Sequence, residues 1–374
     1  MLKRELFNHI KNVGGWSTRR KLVLFSVDDY GNLRIRNRDA LESLRRGGLE
    51  VNQRFDCLDN LENAKDLSLL FELLQSVRDR NGKPAVFTPY ALPCNIDFEG
   101  IAANGYSEYV HELLPVTYAK LAYEDAEYRG AWELWKQGIE LGILAPQFHG
   151  REHFNLAIFN NLLASGNKDL LSCLRNGSYV TVPAHSNYTS GWTAAFAYQA
   201  QAEIEAFPSI IESGIQAFNE VYGSLPKVFT PPAQHFPPSL DDQLVKWGFK
   251  AVDRAFRQTR NFNGVPKKIT HKQGLHSDGL VQIVRNVVFE PTDPRGFNWV
   301  DYTFKQVEAA FRMGKPANIS SHRVNFSGGI DETNREKGLA ALKALLKKVV
   351  KNFPDVEFIS VAELVDIISN ERKP

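Results

Sequence analysis

The sequence is poor in sulfur, with three cysteines and two methionines among 374 residues. Cys57, Cys94 and Cys173 are too few and too scattered for a disulfide framework or a thiolate zinc knuckle. Each reads most simply as a buried thiol in a reducing compartment. Long hydrophobic runs are missing too. No stretch approaches the ~20 apolar residues that cross a bilayer, and Met1 to Thr18 lack the apolar core and small-residue cleavage site of a secretory signal. No membrane insertion is therefore expected, and the cytoplasm is the default location. Neither sign of charge is in excess: 45 basic and 43 acidic residues leave a net +2, which offers no global field to recruit nucleic acid or a membrane. Arg19, Arg20 and Lys21 form only a small basic cluster, read as a solvated edge. Neither an internal repeat nor a low-complexity linker divides the chain, so residues 1–374 are read as one domain.

What is present is alternation. Short apolar runs bounded by turn residues, at 21–27, 85–90, 146–149, 179–182, 227–230, 249–252, 280–288, 318–321 and 357–361, read as strands. Between them, 37–47, 64–81, 118–142, 156–176, 200–222, 239–248, 299–313 and 332–352 carry helical periodicity. Strand and helix in turn imply right-handed βαβ units and a parallel sheet. So many repeats favour an α/β fold of the (β/α) barrel kind, distorted or incomplete at seven or eight strands, with long loop insertions. In such barrels the active site lies at the carboxyl ends of the strands. Asp28, Asp29, His149, His153, Thr230, Asp253 and His322 all fall at or just past such an end. Two aromatic-rich stretches, 95–123 with Tyr106, Tyr109 and Tyr118, and 185–198 with Tyr188, Trp192 and Tyr198, fit a lid or a sugar-stacking platform. They fit more simply the covering of a core edge.

The chemistry concentrates in two segments, Phe25-Ser-Val-Asp-Asp-Tyr-Gly31 and His149-Gly-Arg-Glu-His153. A carboxylate with two histidines is a common set of ligands for a divalent metal that keeps positions open for water and substrate. On an extended strand end, Asp28 and Asp29 point to opposite sides, so one can face a metal and the other the substrate water. Taken alone, the pair reads better as a turn or helix N-cap before Tyr30 and Gly31. His149 and His153 shift that balance, because residues at i and i+4 share a helix face or converge at a strand-to-helix turn. Asn318-Ile-Ser-Ser-His322 places an imidazole at another strand end. It could serve as a general acid or be a capping histidine. His235 and Asn325 are weaker candidates for the pocket.

Together these segments resemble the polysaccharide deacetylases of the NodB-homology type. Ser26-Val27-Asp28-Asp29-Tyr30-Gly31 is similar to their first motif and His149-Gly150-Arg151-Glu152-His153 to their second. Phe229-Thr230-Pro231-Pro232 matches the third, Val252-Asp253-Arg254 the fourth, and Ile319-Ser320-Ser321-His322 the fifth. The resemblance implies Asp28 as catalytic base, His322 as general acid, and Asp29, His149 and His153 as ligands of a divalent metal, zinc in most members. It implies that Pro231 and Pro232 shape a groove wall, that the backbone after them helps hold an oxyanion, and that Thr230, Asp253 and Arg151 lie near substrate. The substrate would be an acetylated carbohydrate. Three departures stand out. Thr230 occupies the place of an arginine that holds the catalytic Asp, which leaves Arg151 or Arg254 as its substitute, or a base tuned differently. Gly150 replaces a Ser or Thr, and Tyr30 is inserted before the glycine.

The leading expectation is a metal-dependent carbohydrate N- or O-deacetylase. A second keeps the metal but cleaves another non-peptide C–N bond or a glycosidic bond. A third is a non-catalytic sugar-binding protein on this scaffold, supported by the missing arginine.

Overall fold

The computed structural model describes residues 2–182, 191–262, 265–277 and 279–371. Ten strands make its main sheet: β1 (Lys21–Tyr30), β2 (Phe87–Ala91), β3 (Gln147–Phe148), β4 (Val228–Phe229), β5 (Ala251–Arg254), β6 (His276–Ser277), β7 (Leu280–Val284), β8 (Val287–Val288), β9 (Ala317–His322) and β10 (Val356–Phe358). They lie in the order β6-β7-β5-β4-β3-β2-β1-β9-β8, with β10 paired to the start of β1. Only the short β6–β7 pairing is antiparallel. Segment 280–288, expected as one strand, is split, and its halves sit near opposite ends of that order, joined by Arg285 and Asn286. The Cα atoms of Val284 and Val287 can be at most about 11 Å apart, so the sheet must curl until its edges nearly meet. The result is a distorted (β/α) barrel whose seam is bridged by chain rather than by a continuous ladder. Asn286 secures the seam, donating to Pro316 O at 2.8 Å and accepting from Asn318 N at 2.9 Å.

Period-2 alternation assigns each strand residue to one side. Val23, Phe25 and Val27 of β1 join the large core formed with helices Ala64–Gln75, Phe207–Tyr222, Trp299–Arg312 and Glu332–Asn352. Leu22 and Leu24 face the barrel interior with Val228, Ala251, Val281 and Ile283. Helix Val361–Asn370, started by a reciprocal Ser360–Glu363 capping box, presses Val361, Leu364, Val365 and Ile368 into that interior cluster. The amino end of the barrel is thereby filled and the carboxyl end left for the site. Continuing the same alternation places Asp28, His149, Thr230, Asp253, Arg285 and His322 inward at that end.

Several expected elements are broken, each with a local cause. Segment 118–142 divides into Leu114–Glu124 and Ala131–Glu140 at Gly130, whose φ is 78°. Segment 156–176 divides at Gly166, φ 61°, and 200–222 divides just before Pro208. Residues 179–182 form no strand. Tyr179 instead packs its ring 5.0 Å from Phe154 and donates to Asn32 Oδ1. Among the described residues no helix is long and apolar enough to cross a membrane. Cys94 and Cys173 are buried and Cys57 half-buried, all as free thiols.

Beneath the site lies a buried charge cluster. Arg323 donates to Asp59 Oδ1 at 2.8 Å and to Glu62 Oε2 at 2.9 Å. Glu62 also accepts from Trp135 Nε1 at 2.8 Å, Tyr118 OH at 3.0 Å and Gly31 N at 3.1 Å. It thus ties the end of β1 to the end of β9. Removing Glu62 takes the shared acceptor from Trp135, Tyr118 and Gly31 and one of the two carboxylates from buried Arg323, so Glu62→Ala should destabilise by about 3–5 kcal/mol. A urea midpoint shift of that order in Glu62→Ala would bear this out. A shift under about 1 kcal/mol would show that the cluster relaxes and is not a tie.

Candidate metal and acid–base site

In a continuous strand Asp28 would face inward and Asp29 outward. The β1–β2 register slips between Val27 and Tyr30, and Asp29 takes a left-handed φ of 73°, a costly conformation for a non-glycine residue. This turn swings Asp29 inward, so both acids line one cavity of about 540 Å³. The expectation of opposite-facing carboxylates is corrected by that bulge. His149 follows β3, and the pairing of Phe148 with Phe229 sets it beside Thr230. Its Nδ1 lies 2.8 Å from the Thr230 carbonyl. A proton on Nδ1 would be donated there, leaving the Nε2 lone pair facing Asp29. Gly150 then turns the chain at φ 107°, which a serine or threonine would adopt only under strain. The turn, not a helix face, delivers His153.

His153 Nε2 lies 2.9 Å and His149 Nε2 3.6 Å from Asp29 Oδ1. All three side chains are buried, with ligand atoms within 4.8 Å of one another. Asp29 Oδ1, His149 Nε2 and His153 Nδ1 have no hydrogen-bond partner among the described residues; the close His153 contact is not aligned as a hydrogen bond. Burial pushes the Asp29 carboxyl up, but His153 and His149 outweigh it and hold it well below the usual range. Burial also lowers His153, against the pull of Asp29. An ionised carboxylate beside imidazole nitrogens that lack a partner among the described residues fits a divalent cation such as zinc.

On the other side of the cavity Asp28 receives a bidentate pair from Arg285, at 2.6 Å from Nη1 and 2.8 Å from Nη2. Arg285 Nε donates to Asp253 Oδ2 at 2.5 Å, which also accepts from the Thr230 hydroxyl at 3.1 Å. One guanidinium thus serves two buried carboxylates. Burial works to raise Asp28, but Arg285 and nearby imidazoles bring it below the ordinary value. For Asp253 burial prevails over Arg285, and its carboxyl rises. Parallel register sets Asp28 directly across from His322. His322 Nε2 lies 3.7 Å from Asp28 Oδ2, and its Nδ1 lies 2.6 Å from Glu290 Oε1. Burial opposes the imidazolium, yet Glu290, Asp28 and Asp29 hold it up to about 9. Arg54 donates to Glu290 Oε2 at 3.0 Å, and Asn325 donates to the same oxygen at 2.9 Å. Phe55 stands edge-on to His322 with ring centroids 5.1 Å apart.

Pro231 and Asp253 line the cavity, whereas Thr230 and Pro232 lie behind its wall. Ala233 and Gln234 also line it, both in left-handed conformations at φ 52° and 59°. Arg151 is off the wall, paired with Glu152 and donating to Ser213 Oγ at 2.8 Å. Arg254 is on the wall but bonded to Asp241 at 2.6 Å. Neither touches Asp28; the arginine that does is Arg285, and the carboxylate bonded to His322 Nδ1 is Glu290. Both escaped sequence reading, though a lone Arg-Asn pair inside an apolar run was a signal. Tyr118 is buried on Glu62, Tyr109 donates to Glu152, and Trp192 packs beside Phe154 and Phe159. Tyr106 packs in that same outer cluster, Tyr198 lies against the large core, and neither they nor His235 line the cavity. Tyr188 falls outside the described residues. Asn325 is buried in the Glu290 network.

No family model and no curated protein matches this chain. Solved structures similar to it include a Mycobacterium smegmatis protein assigned to the polysaccharide deacetylases, at 11% identity and a TM-score of 0.48, covering 96% of this chain and 94% of that one. A Pseudomonas aeruginosa PAO1 protein with the same assignment has 12% identity and a TM-score of 0.45, over 96% and 93% of the two chains. The alpha-amylase AmyC of Thermotoga maritima has 11% identity and a TM-score of 0.46, over 93% and 74%. Likenesses this loose say nothing about the reaction.

Arg285→Gln would leave Asp28 and Asp253 buried without their shared cation. A loss of about 3–5 kcal/mol is expected, with Arg285→Lys restoring only part because it cannot form the bidentate pair. Denaturant melts of the two variants beside Asp253→Asn check this; equal stability of parent and Arg285→Gln would refute it.

Proposed function

We propose that this chain is a metal-dependent hydrolase that removes an acetyl group from an acetylated sugar. The observation that carries the reading is the placement of Asp28 and His322 across one strand gap, beside the buried Asp29, His149 and His153. Two titratable groups with their pKa values driven apart, over a shared cavity, are the mark of an acid–base pair. A divalent ion held by Asp29, His149 and His153, zinc by resemblance, would polarise the acetyl carbonyl and acidify an attacking water. Asp28, kept ionised by Arg285, accepts the proton of that water as its oxygen bonds to the acetyl carbon. His322, kept protonated by Glu290, passes its proton to the nitrogen or oxygen that leaves as the acyl bond breaks. Acetate and the free sugar amine or alcohol result. Ala233, in its left-handed conformation, brings strained backbone to the same cavity, suited to the developing oxyanion; the Gln234 amide is spent on the Pro231 carbonyl at 2.9 Å. Arg285 weighs against a retired, merely binding scaffold, since it supplies Asp28 with the cation that the Thr230 position lacks.

The purified protein should carry about one divalent ion per chain in the manner of such sites, lost in Asp29→Ala and His153→Ala. Asp28→Asn should keep the ion and lose acetate release by about 10²–10⁴-fold. Absence of metal from the parent, even after addition of zinc, nickel, cobalt or manganese, would sink the hydrolase reading.

Protonation gives a second test. Activity should fall on the acid side as Asp28 gains a proton and on the alkaline side as His322 loses its own. The same proton links to folding. His322 is raised from an unfolded value of about 6.5 to about 9, so its contribution is full below the first value and lost as pH rises through the second. In metal-free protein, His322→Gln should flatten the decline in Tm over that window. An unchanged slope would refute the His322–Glu290 ion pair.

A further inference from the structure

Arg34 carries a buried charge that no described residue meets with a side-chain hydrogen bond. It follows β1 and is only 4% exposed. Its Nε is buried and has no partner among the described residues. Its nearest carboxylate oxygen, Asp56 Oδ1, stands 4.0 Å from Nη1, out of hydrogen-bond reach. That oxygen already accepts from the Thr181 amide and hydroxyl, each at 3.1 Å. A guanidinium has five N–H donors, and burying them unpaired is costly. Such a group persists where something else supplies the acceptor. Arg34 lines the same cavity as Asp29, His149 and His153. The rings of Phe55 and Tyr179 lie 5.7 Å and 5.9 Å from its Cζ, and its carbonyl accepts from the Tyr179 amide at 2.8 Å. The side chain is thus walled in by aromatic rings, and the main chain behind it is tied.

We propose that Arg34 is the recognition site for a carboxylate on the substrate, so that the sugar deacetylated here is an acidic one of the uronic-acid type. The proposal rests on the deacetylase reading for its acetyl half, and on Arg34 alone for its acid half. A planar carboxylate matches the guanidinium fork. A single negative charge suits the surroundings better than a dianionic phosphate, because Asp56 and Asp29 stand close by. A cavity of about 540 Å³ has room for a sugar unit spanning both the acetyl centre and Arg34.

The test is calorimetric binding of 2-acetamido-2-deoxyglucuronate, its methyl ester, N-acetylglucosamine and N-acetylglucosamine 6-phosphate to the metal-loaded protein. Parent should bind the free acid about 10- to 100-fold more tightly than the ester, the value of a charged hydrogen-bonded pair, and more tightly than the phosphate. Arg34→Gln should erase the preference for acid over ester, and Arg34→Lys should keep part of it. Equal binding of acid and ester by parent would overturn the proposal whether or not the variants fold. Persistence of the preference in Arg34→Gln would also overturn it, since the carboxylate would then be held elsewhere, as on the metal. Tighter phosphate than acid would replace the carboxylate by a phosphate ligand. Acetate assays on the same compounds separate the two readings. Arg34-dependent acid binding without acetate release would sink the deacetylase alone. Equal release from acid and ester would sink the Arg34 assignment alone.

Discussion

Asp28 and Asp253 point into one barrel mouth, and two carboxylates that close cannot both remain charged and buried without a cation between them. Arg285 is that cation. Its fork is spent on Asp28 and its Nε on Asp253, an arrangement a lysine could not reproduce. The asymmetry has a chemical result: Asp28, which receives the bidentate fork, is held below the ordinary carboxylate value, while Asp253 takes the burden of burial and rises. The Arg285 Cζ also lies 4.9 Å from the Tyr90 ring centroid, so orientation is enforced from a third side.

The position of Arg285 follows from how the barrel closes. Where the hydrogen-bond ladder fails between β7 and β8, the backbone need not satisfy a strand's pairing, and a long charged side chain can turn inward across the mouth. Asn286 takes up the backbone groups exposed at the same break. On the far side, Glu62 gathers donors from Gly31, Tyr118, Trp135 and Arg323. The ends of β1 and β9, which carry Asp28 and His322, are therefore held from below as well as by their register. The acid–base pair proposed for them needs this kind of support, because small displacements disable proton transfer.

Much of this was legible. Apolar runs with polar ends mark most of the strands, and alternation within them puts Asp28, His149 and His322 on the inward side. Local sequence could not disclose the Asp29 bulge, which depends on β1 slipping against β2. It could not disclose Arg285 either: its partner Asp28 is 257 residues away in the chain, and the run around it reads as one strand. Glu290 sat unnoticed after a short strand for the same reason. The aromatic stretches left two readings open, because an aromatic ring in a polar loop looks the same whether it meets a sugar or, as with Tyr118 and Trp192, a core.

The order in which this architecture can assemble follows from β1. One whole side of it is covered by β9, and its first residues are paired with β10. The helix that fills the barrel floor comes later still. A nascent chain halted before residue 317 has Asp29, His149 and His153 already synthesised, but the strand bearing two of the site's carboxylates lacks a neighbour. Contacts this distant in sequence form slowly. The histidines are thus synthesised well before the pocket that sets their geometry is complete, so an ion at the proposed site would be captured only once the last strands have emerged.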